Sequence, residues 1–161
     1  MAELIPEIRN TPRALIVRQS SILLLRKVGG FRGERFSLPG GAQAAGESLL
    51  EALNRECREE IDTPVKIGEL LHVAEFFKLK DDQPPTRQHL VEFLFRCDIA
   101  DNYIPHNGSR PDKHQVDVMW AHLDEIPRLA LHPQYLSIWI PRLTTGGRNF
   151  YLGTFNDQTT S

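Results

Sequence analysis

The chain has 161 residues, 40% of them hydrophobic and 25% charged, and its 19 Lys and Arg against 21 Asp and Glu leave a net charge of −2. That is the size and composition of one domain able to bury its own core, without the basic excess that a nucleic-acid or membrane surface shows. Two cysteines, Cys57 and Cys97, are too few for a disulfide framework and are expected as free thiols; no apolar run reaches the ~20 residues of a membrane span, and Glu3, Pro6, Glu7 and Arg9 interrupt any leader-like stretch, so a cytoplasmic protein is expected.

Residues 1–11 read as a lead-in, with Pro6 and Pro12 as breakers. Ala14-Leu15-Ile16-Val17 predicts a short buried strand, and the apolar run 22–25 predicts a second one beside it. Residues 29–35 form a basic glycine loop with two readings: a solvated turn, or a loop that brings arginines and an aromatic to a phosphate or a base. Phe36-Ser37-Leu38 predicts a strand ended by Pro39. A helix is predicted over 48–61, with Pro64 beyond its end. Residues 67–79 predict a long or bent strand, joined through a polar loop to a strand over 89–98 in which Val91, Phe93, Phe95 and Cys97 alternate with Leu90, Glu92, Leu94 and Arg96. A loop over 100–113 precedes a strand marked by Val116, Val118 and Trp120. Pro133 is placed to open a last helix whose apolar face is Tyr135, Leu136, Ile138, Trp139 and Ile140, ending at Pro141. The tail 144–161 carries Phe150, Tyr151, Leu152 and Phe155, so it is expected to dock on the body or on a second subunit, which leaves a homodimer open.

The densest chemistry lies in residues 38–63. Leu38-Pro39-Gly40-Gly41 leads to Gly46-Glu47, and the helix carries Arg55-Glu56-Cys57-Arg58-Glu59-Glu60. At about 100° per residue, Leu50, Leu53, Cys57 and Ile61 make a core stripe, and Glu56, Glu59 and Glu60 share the sector beside it. Glu51 with Arg55 is an ordinary surface pair. The three acids are different. Like charges one turn apart, at the negative end of the helix dipole, oppose helix formation, so stability does not account for them. A divalent cation reverses the sign of that cost, and hard carboxylate oxygens suit Mg²⁺ or Mn²⁺. Gly40, Gly41 and Gly46 permit tight turns close to a ligand, and Glu47 suits the first turn of the helix, as a cap or folded back toward the acids.

Gly41, five residues, Glu47, seven residues, then Arg55-Glu56-Cys57-Arg58-Glu59-Glu60 resembles the Nudix box, a specific pattern of about 23 residues. Asp62 and Thr63 depart from it, standing where the box usually has a glycine and an apolar residue; Asp62 is expected to change how the helix ends. The resemblance implies an α/β fold, the Nudix-type α/β/α sandwich with a central mixed β-sheet flanked by helices, in a single domain over 1–161 with its core at about 12–143. It implies hydrolysis of a nucleoside diphosphate linked to another moiety, with water attacking the pyrophosphate and a small-molecule nucleotide as partner. By position, Glu56, Glu59 and Glu60 bind the metal, Mg²⁺ or Mn²⁺; Glu47 completes the shell through water; Gly41 lends backbone beside it; Arg55 orients a glutamate. Catalysis then falls to Glu56, Glu59 and Arg55.

The general base is left open between Glu56, Glu59 and a distant group, for which Glu75, Glu92, His114, Asp117 and Glu125 are candidates; for Glu92 and Asp117 an exposed strand position is the plainer reading. Arg26, Arg32, Arg35 and Phe36 are expected to bind substrate, although strand aromatics are more often core. His72, His89, His106, His122 and His132 read as surface or hydrogen-bonded histidines. An alternative is a catalytically silent nucleotide-binding or sensing module. Such modules usually lose part of the acid cluster, and here all three acids and Glu47 are present. The sequence does not choose among ADP-ribose, other nucleotide sugars, dinucleoside polyphosphates and nucleoside triphosphates.

Overall fold

Strand residues alternate between two faces, and in this protein both faces are filled. In the computed structural model, which describes residues 2–145 and 150–158, the chain forms β1 (Glu3–Arg18), β2 (Ser21–Lys27), β3 (Arg35–Ser37), α1 (Leu49–Ile61), β4 (Lys66–Lys80), β5 (Thr86–Asp98), β6 (Gln115–His122), α2 (Leu136–Thr144) and β7 (Tyr151–Asn156), with 3-10 turns at Gly30–Arg32 and Leu123–Arg128. The strands make one mixed sheet in the order β3-β2-β1-β5-β4-β7, with β6 on the other edge of β2. β1 runs parallel to β5, and β7 parallel to β4; the other pairs are antiparallel. Ala14, Ile16, Leu23, Leu25, Phe95 and Cys97 point toward Leu53, Cys57 and Ile61 of α1. Leu15, Ile22, Leu24, Leu90 and Leu94 point toward Leu136 and Ile140 of α2. The helices therefore cover opposite faces, as an α/β/α sandwich requires. No helix among the described residues is long and apolar enough to cross a membrane. Cys57 and Cys97 are buried free thiols.

Several expectations are corrected. The lead-in is strand: β1 pairs with β5 from Glu3 onward, changing register between Leu4 and Ile8, the stretch that holds Pro6. Pro12 is tolerated because its missing N–H falls off the β5 ladder. The Ala14 N–H, two residues on and so on the same side, donates to the Pro39 carbonyl at 2.9 Å instead. Leu50 leaves the α1 stripe, 47% exposed; it lies about 60° from Leu53, toward a surface groove with Asn54 and Val65. Ile138 is 60% exposed, about 200° from Leu136 on the outer side of α2. α2 also runs through Pro141 to Thr144, and the Thr144 and Thr145 hydroxyls donate to carbonyls of the last turn. The tail docks on the body, where β7 extends the sheet beside β4; residues 146–149 lie outside the described residues. Asp157, just past β7, is gripped by Arg32, Gln134, His132 and the Leu79 amide.

Candidate active site

β1 lays down the glycine loop. Arg13 Nη1 donates to the Gly40 carbonyl at 2.9 Å, the Gly41 amide to the Pro12 carbonyl at 3.2 Å, and the Gln43 amide to the Asn10 carbonyl at 2.9 Å. Gly40 sits at φ 138°, where a Cβ would collide with the Pro12 carbonyl. At Gly41 a Cβ would lie 2.5 Å from the carboxyl carbon of Glu56, so the bare backbone there is what lets the acid lie against the loop.

The loop enters α1 through a capping box: the Glu51 amide donates to Ser48 Oγ and the Ser48 amide to Glu51 Oε2, both at 3.1 Å. The sequence reading paired Glu51 with Arg55, but Arg55 is taken up by other acids. Its Nε and Nη2 donate to Glu47 at 3.0 and 2.7 Å, and its Nη1 to Glu56 Oε1 at 2.9 Å and Glu59 Oε2 at 3.3 Å. Glu47 thus folds back, and its Arg55 and Ala44 hydrogen bonds lower its pKa to about 2. Burial raises the pKa of Glu56 against the pull of Arg55. Glu60 stands outside the Arg55 cluster: 2% exposed, it accepts from the Gly40 amide at 2.8 Å. Burial pushes its pKa up to about 8, opposed by that hydrogen bond and by Lys27 and Arg13. At the helix end Asp62 adopts the left-handed conformation, φ 59°, of the expected glycine, with its carboxylate 2.9 Å from His106 Nε2.

Glu56 and Glu60 line a cavity of about 230 Å³ with Gly40 and Gly41; Arg9, Thr11, Arg13, Lys78, Gln88 and Asp112 face them. Four carboxylates around one loop are a hard donor set of the kind a divalent cation takes, and the Glu56 carboxylate lies in the space left by Gly41. Their chemistry fits such an ion, although among the described residues no three acid, His or Cys side chains already converge as a cage. Arg55 gathers Glu47, Glu56 and Glu59.

Asp112 was missed by sequence reasoning. It ends the loop before β6, and its ion pair with Lys27 of β2 keeps it below the usual carboxylate range against its burial. An acid three residues ahead of β6 was the available signal. The distant-base candidates lie off the cavity. Glu75 binds His89 at 2.9 Å and Tyr151 at 2.5 Å. Glu92 is not an exposed strand acid: 2% exposed, it binds Arg13 at 3.2 Å and Tyr135 at 2.6 Å. The His114 ring packs over Gly29 and Gly30, Asp117 is 3.9 Å from Arg26, and Glu125 caps the second 3-10 turn through the His122 amide.

The four residues expected to bind substrate do not line the cavity either. Arg26 pairs with Glu34, Arg32 with Asp157, Arg35 with the Gly29 and Gly33 carbonyls, and Phe36 is buried in the core. The cavity draws its cations from β1 and β4 instead. His72 is also corrected: it is wholly buried, and neither ring nitrogen has a hydrogen-bond partner.

The NUDIX domain family model matches residues 8–143. An ADP-ribose pyrophosphatase from Methanocaldococcus jannaschii is 31% identical over 117 residues, which is 72% of this chain and 63% of that protein, so the chain spans less than two thirds of this relative. Among solved structures, a MutT protein from Bacillus halodurans superposes with a TM-score of 0.69 at 23% identity, covering 95% of each chain. A NUDIX hydrolase from Nitrosomonas europaea gives 0.67 at 22% identity, over 92% of this chain and 78% of its own. These likenesses share the fold seen here, and with the family model spanning β1 through α2, the chain belongs to the Nudix family.

Proposed function

We propose that this protein is a divalent-metal-dependent pyrophosphohydrolase acting on a nucleoside diphosphate linked to another moiety, with ADP-ribose as the substrate class. The observation that carries the reading is a cavity lined by Glu56 and Glu60 together with Arg9, Arg13 and Lys78, with Glu47 and Glu59 gathered beside Glu56 on Arg55. Carboxylates that would hold a cation, beside basic side chains, suit a diphosphate. The likeness to the Methanocaldococcus jannaschii ADP-ribose pyrophosphatase supports the substrate class.

Nudix hydrolases generally use divalent metals. Glu56, Glu59 and Glu60 are the residues that would hold the cation, taken as Mg²⁺ or Mn²⁺, with Glu47 behind them and the Gly41 backbone alongside; when bound, it supplies Lewis acidity toward the pyrophosphate oxygens and acidifies a water. Arg55 orients the acids. The proton of the attacking water falls to Glu56 or Glu59, since Asp112 is committed to Lys27. Cleavage of the phosphoanhydride gives AMP and a sugar phosphate. Buried free Cys57 and Cys97 suit a reducing compartment, in keeping with a cytoplasmic protein.

The test is hydrolysis of ADP-ribose in Mg²⁺, scored as AMP release. Glu59→Gln is expected to lower kcat by about 100-fold or more with an unchanged melting temperature. Turnover equal to wild type in that variant sinks the assignment. Tight ADP-ribose binding with no turnover in Mg²⁺ or Mn²⁺, and none across a nucleotide panel, makes the chain a sensing module.

A further inference from the structure

The sheet face that packs on α2 changes character along its length. On β4 the face that buries Ala74 and Phe76 next presents Lys78; on β5 the face of Leu94 and Leu90 next presents Gln88; on β1 Leu15 gives way to Arg13 and Thr11. These polar residues all line the cavity beside Glu56 and Glu60. Lys78 and Gln88 are direct partners in the β4–β5 ladder.

Five cations share this end of the molecule: Arg9, Arg13, Lys27, Arg32 and Lys78. Four have carboxylates of their own, Glu92 for Arg13, Asp112 for Lys27, Asp157 for Arg32 and, at 4.0 Å, Glu7 for Arg9. Lys78 has no ion pair or side-chain hydrogen bond among the described residues, and neither does the Gln88 amide. Burial, with Arg13, Lys27 and Arg32 nearby, brings the ammonium down to about 8 against the opposing charge of Asp112. A half-buried, unpaired cation among other cations opposes folding, and an anion arriving in the cavity relieves it.

We propose that Lys78 and Gln88 form an anion subsite for the phosphoryl group of the substrate that is turned away from Glu56 and Glu59. Lys78 supplies the charge and Gln88 an amide donor beside it. The phosphoryl identity of the anion rests on the hydrolase reading; the subsite itself rests on the unpaired ammonium. Lys78 is a binding residue here, not a group that moves protons.

Calorimetry with inorganic pyrophosphate, in chelator and without divalent cation, tests the subsite directly. Wild type is expected to bind it at one site. Lys78→Met is expected to weaken binding by about 30-fold, and Lys78→Arg, which keeps the charge, to stay within about threefold. The melting temperature of Lys78→Met without ligand should equal or exceed that of wild type, and pyrophosphate should raise it less. In Mg²⁺, KM for ADP-ribose should rise about 30-fold in Lys78→Met, with kcat changed less than about fivefold. Failure of the hydrolase reading is scored on the turnover of Glu59→Gln, and failure of the subsite on pyrophosphate binding by Lys78→Met. Wild-type pyrophosphate affinity in a folded Lys78→Met, or no binding by wild type, overturns the proposal.

Discussion

The amide of Gly40 donates to Glu60 Oε1 at 2.8 Å, across 20 residues of sequence and out of contact with water. The glycine loop is thereby pinned to the last turn of the helix it leads into. Burial, working against this bond, sets the charge of Glu60. The folded pKa, about 8, lies above the ordinary 4.5. The folded state then holds the extra proton between those values, so this group's contribution is complete below pH 4.5 and is lost as pH rises through 8. In chelator, Glu60→Gln should therefore gain stability over wild type as pH increases from 5 to 8, with a slope of up to about 1.4 kcal/mol per pH unit. Denaturant melts of both proteins at matched pH read the difference, and parallel pH profiles refute it.

Neighbouring glycines should fail in different ways. Gly40→Ala places a Cβ on the Pro12 carbonyl from a positive φ, and a backbone obstacle cannot turn aside; a loss of about 3 kcal/mol or more is expected in urea melts. Gly41→Ala meets the end of the Glu56 side chain at 2.5 Å, which can swing away. Its stability should change by less than about 1 kcal/mol, while AMP release falls at least about tenfold because Glu56 has left its seat.

Arg55 holds three acids, with Glu47 at 2.7 Å, Glu56 at 2.9 Å and Glu59 at 3.3 Å. Arg55→Ala frees them to repel one another. The expected outcome is Mg²⁺ affinity weakened about 10- to 100-fold by calorimetry, with a parallel fall in turnover. Mg²⁺ affinity at the wild-type level would show that Arg55 does not organise the acids.

His72 is buried with both ring nitrogens unbonded, and burial lowers its pKa to about 4. The unfolded chain protonates it first, so its share of stability is present above about pH 6.5 and is lost as pH falls through 4. His72→Leu should stabilise the protein by about 1 kcal/mol at pH 7 and by more at pH 5. Thermal melts at the two pH values check both the sign and the trend.

Asp157→Asn removes a buried charge from Arg32 and His132. A destabilisation of about 3 kcal/mol is expected, with kcat per folded molecule unchanged, since Asp157 does not line the cavity. Loss of turnover at full stability would tie the tail to the chemistry.

The helix of the acid face was legible because its signals are local: the stripe of Leu53, Cys57 and Ile61, the acids one turn apart, and Pro64 beyond the end. Helical spacing grouped Glu56, Glu59 and Glu60 without revealing that Glu60 turns inward, because its partner is a backbone amide of the loop. Pro12 was read as a breaker because the effect of a missing N–H depends on which side of the strand it faces, a tertiary fact. Arg26, Arg32 and Arg35 looked available for substrate only while Glu34, Asp157 and the loop carbonyls were out of view. The cations that do line the cavity, Arg9, Arg13 and Lys78, sit within strands far apart in sequence, where no local pattern marks them.

The grip on Asp157 has a consequence for synthesis on the ribosome. Arg32 is made 125 residues before the carboxylate that neutralises it. At about 5–20 residues per second, the guanidinium waits roughly 6 to 25 s for its counter-charge. From the completion of β4 at Lys80 until β7 begins at Tyr151, the edge of β4 that β7 will cover is bare, and a nascent chain nearby can pair with it. Translation speed through the last stretch of the message, rather than any property of the finished fold, then sets how long this edge is open to the wrong partner.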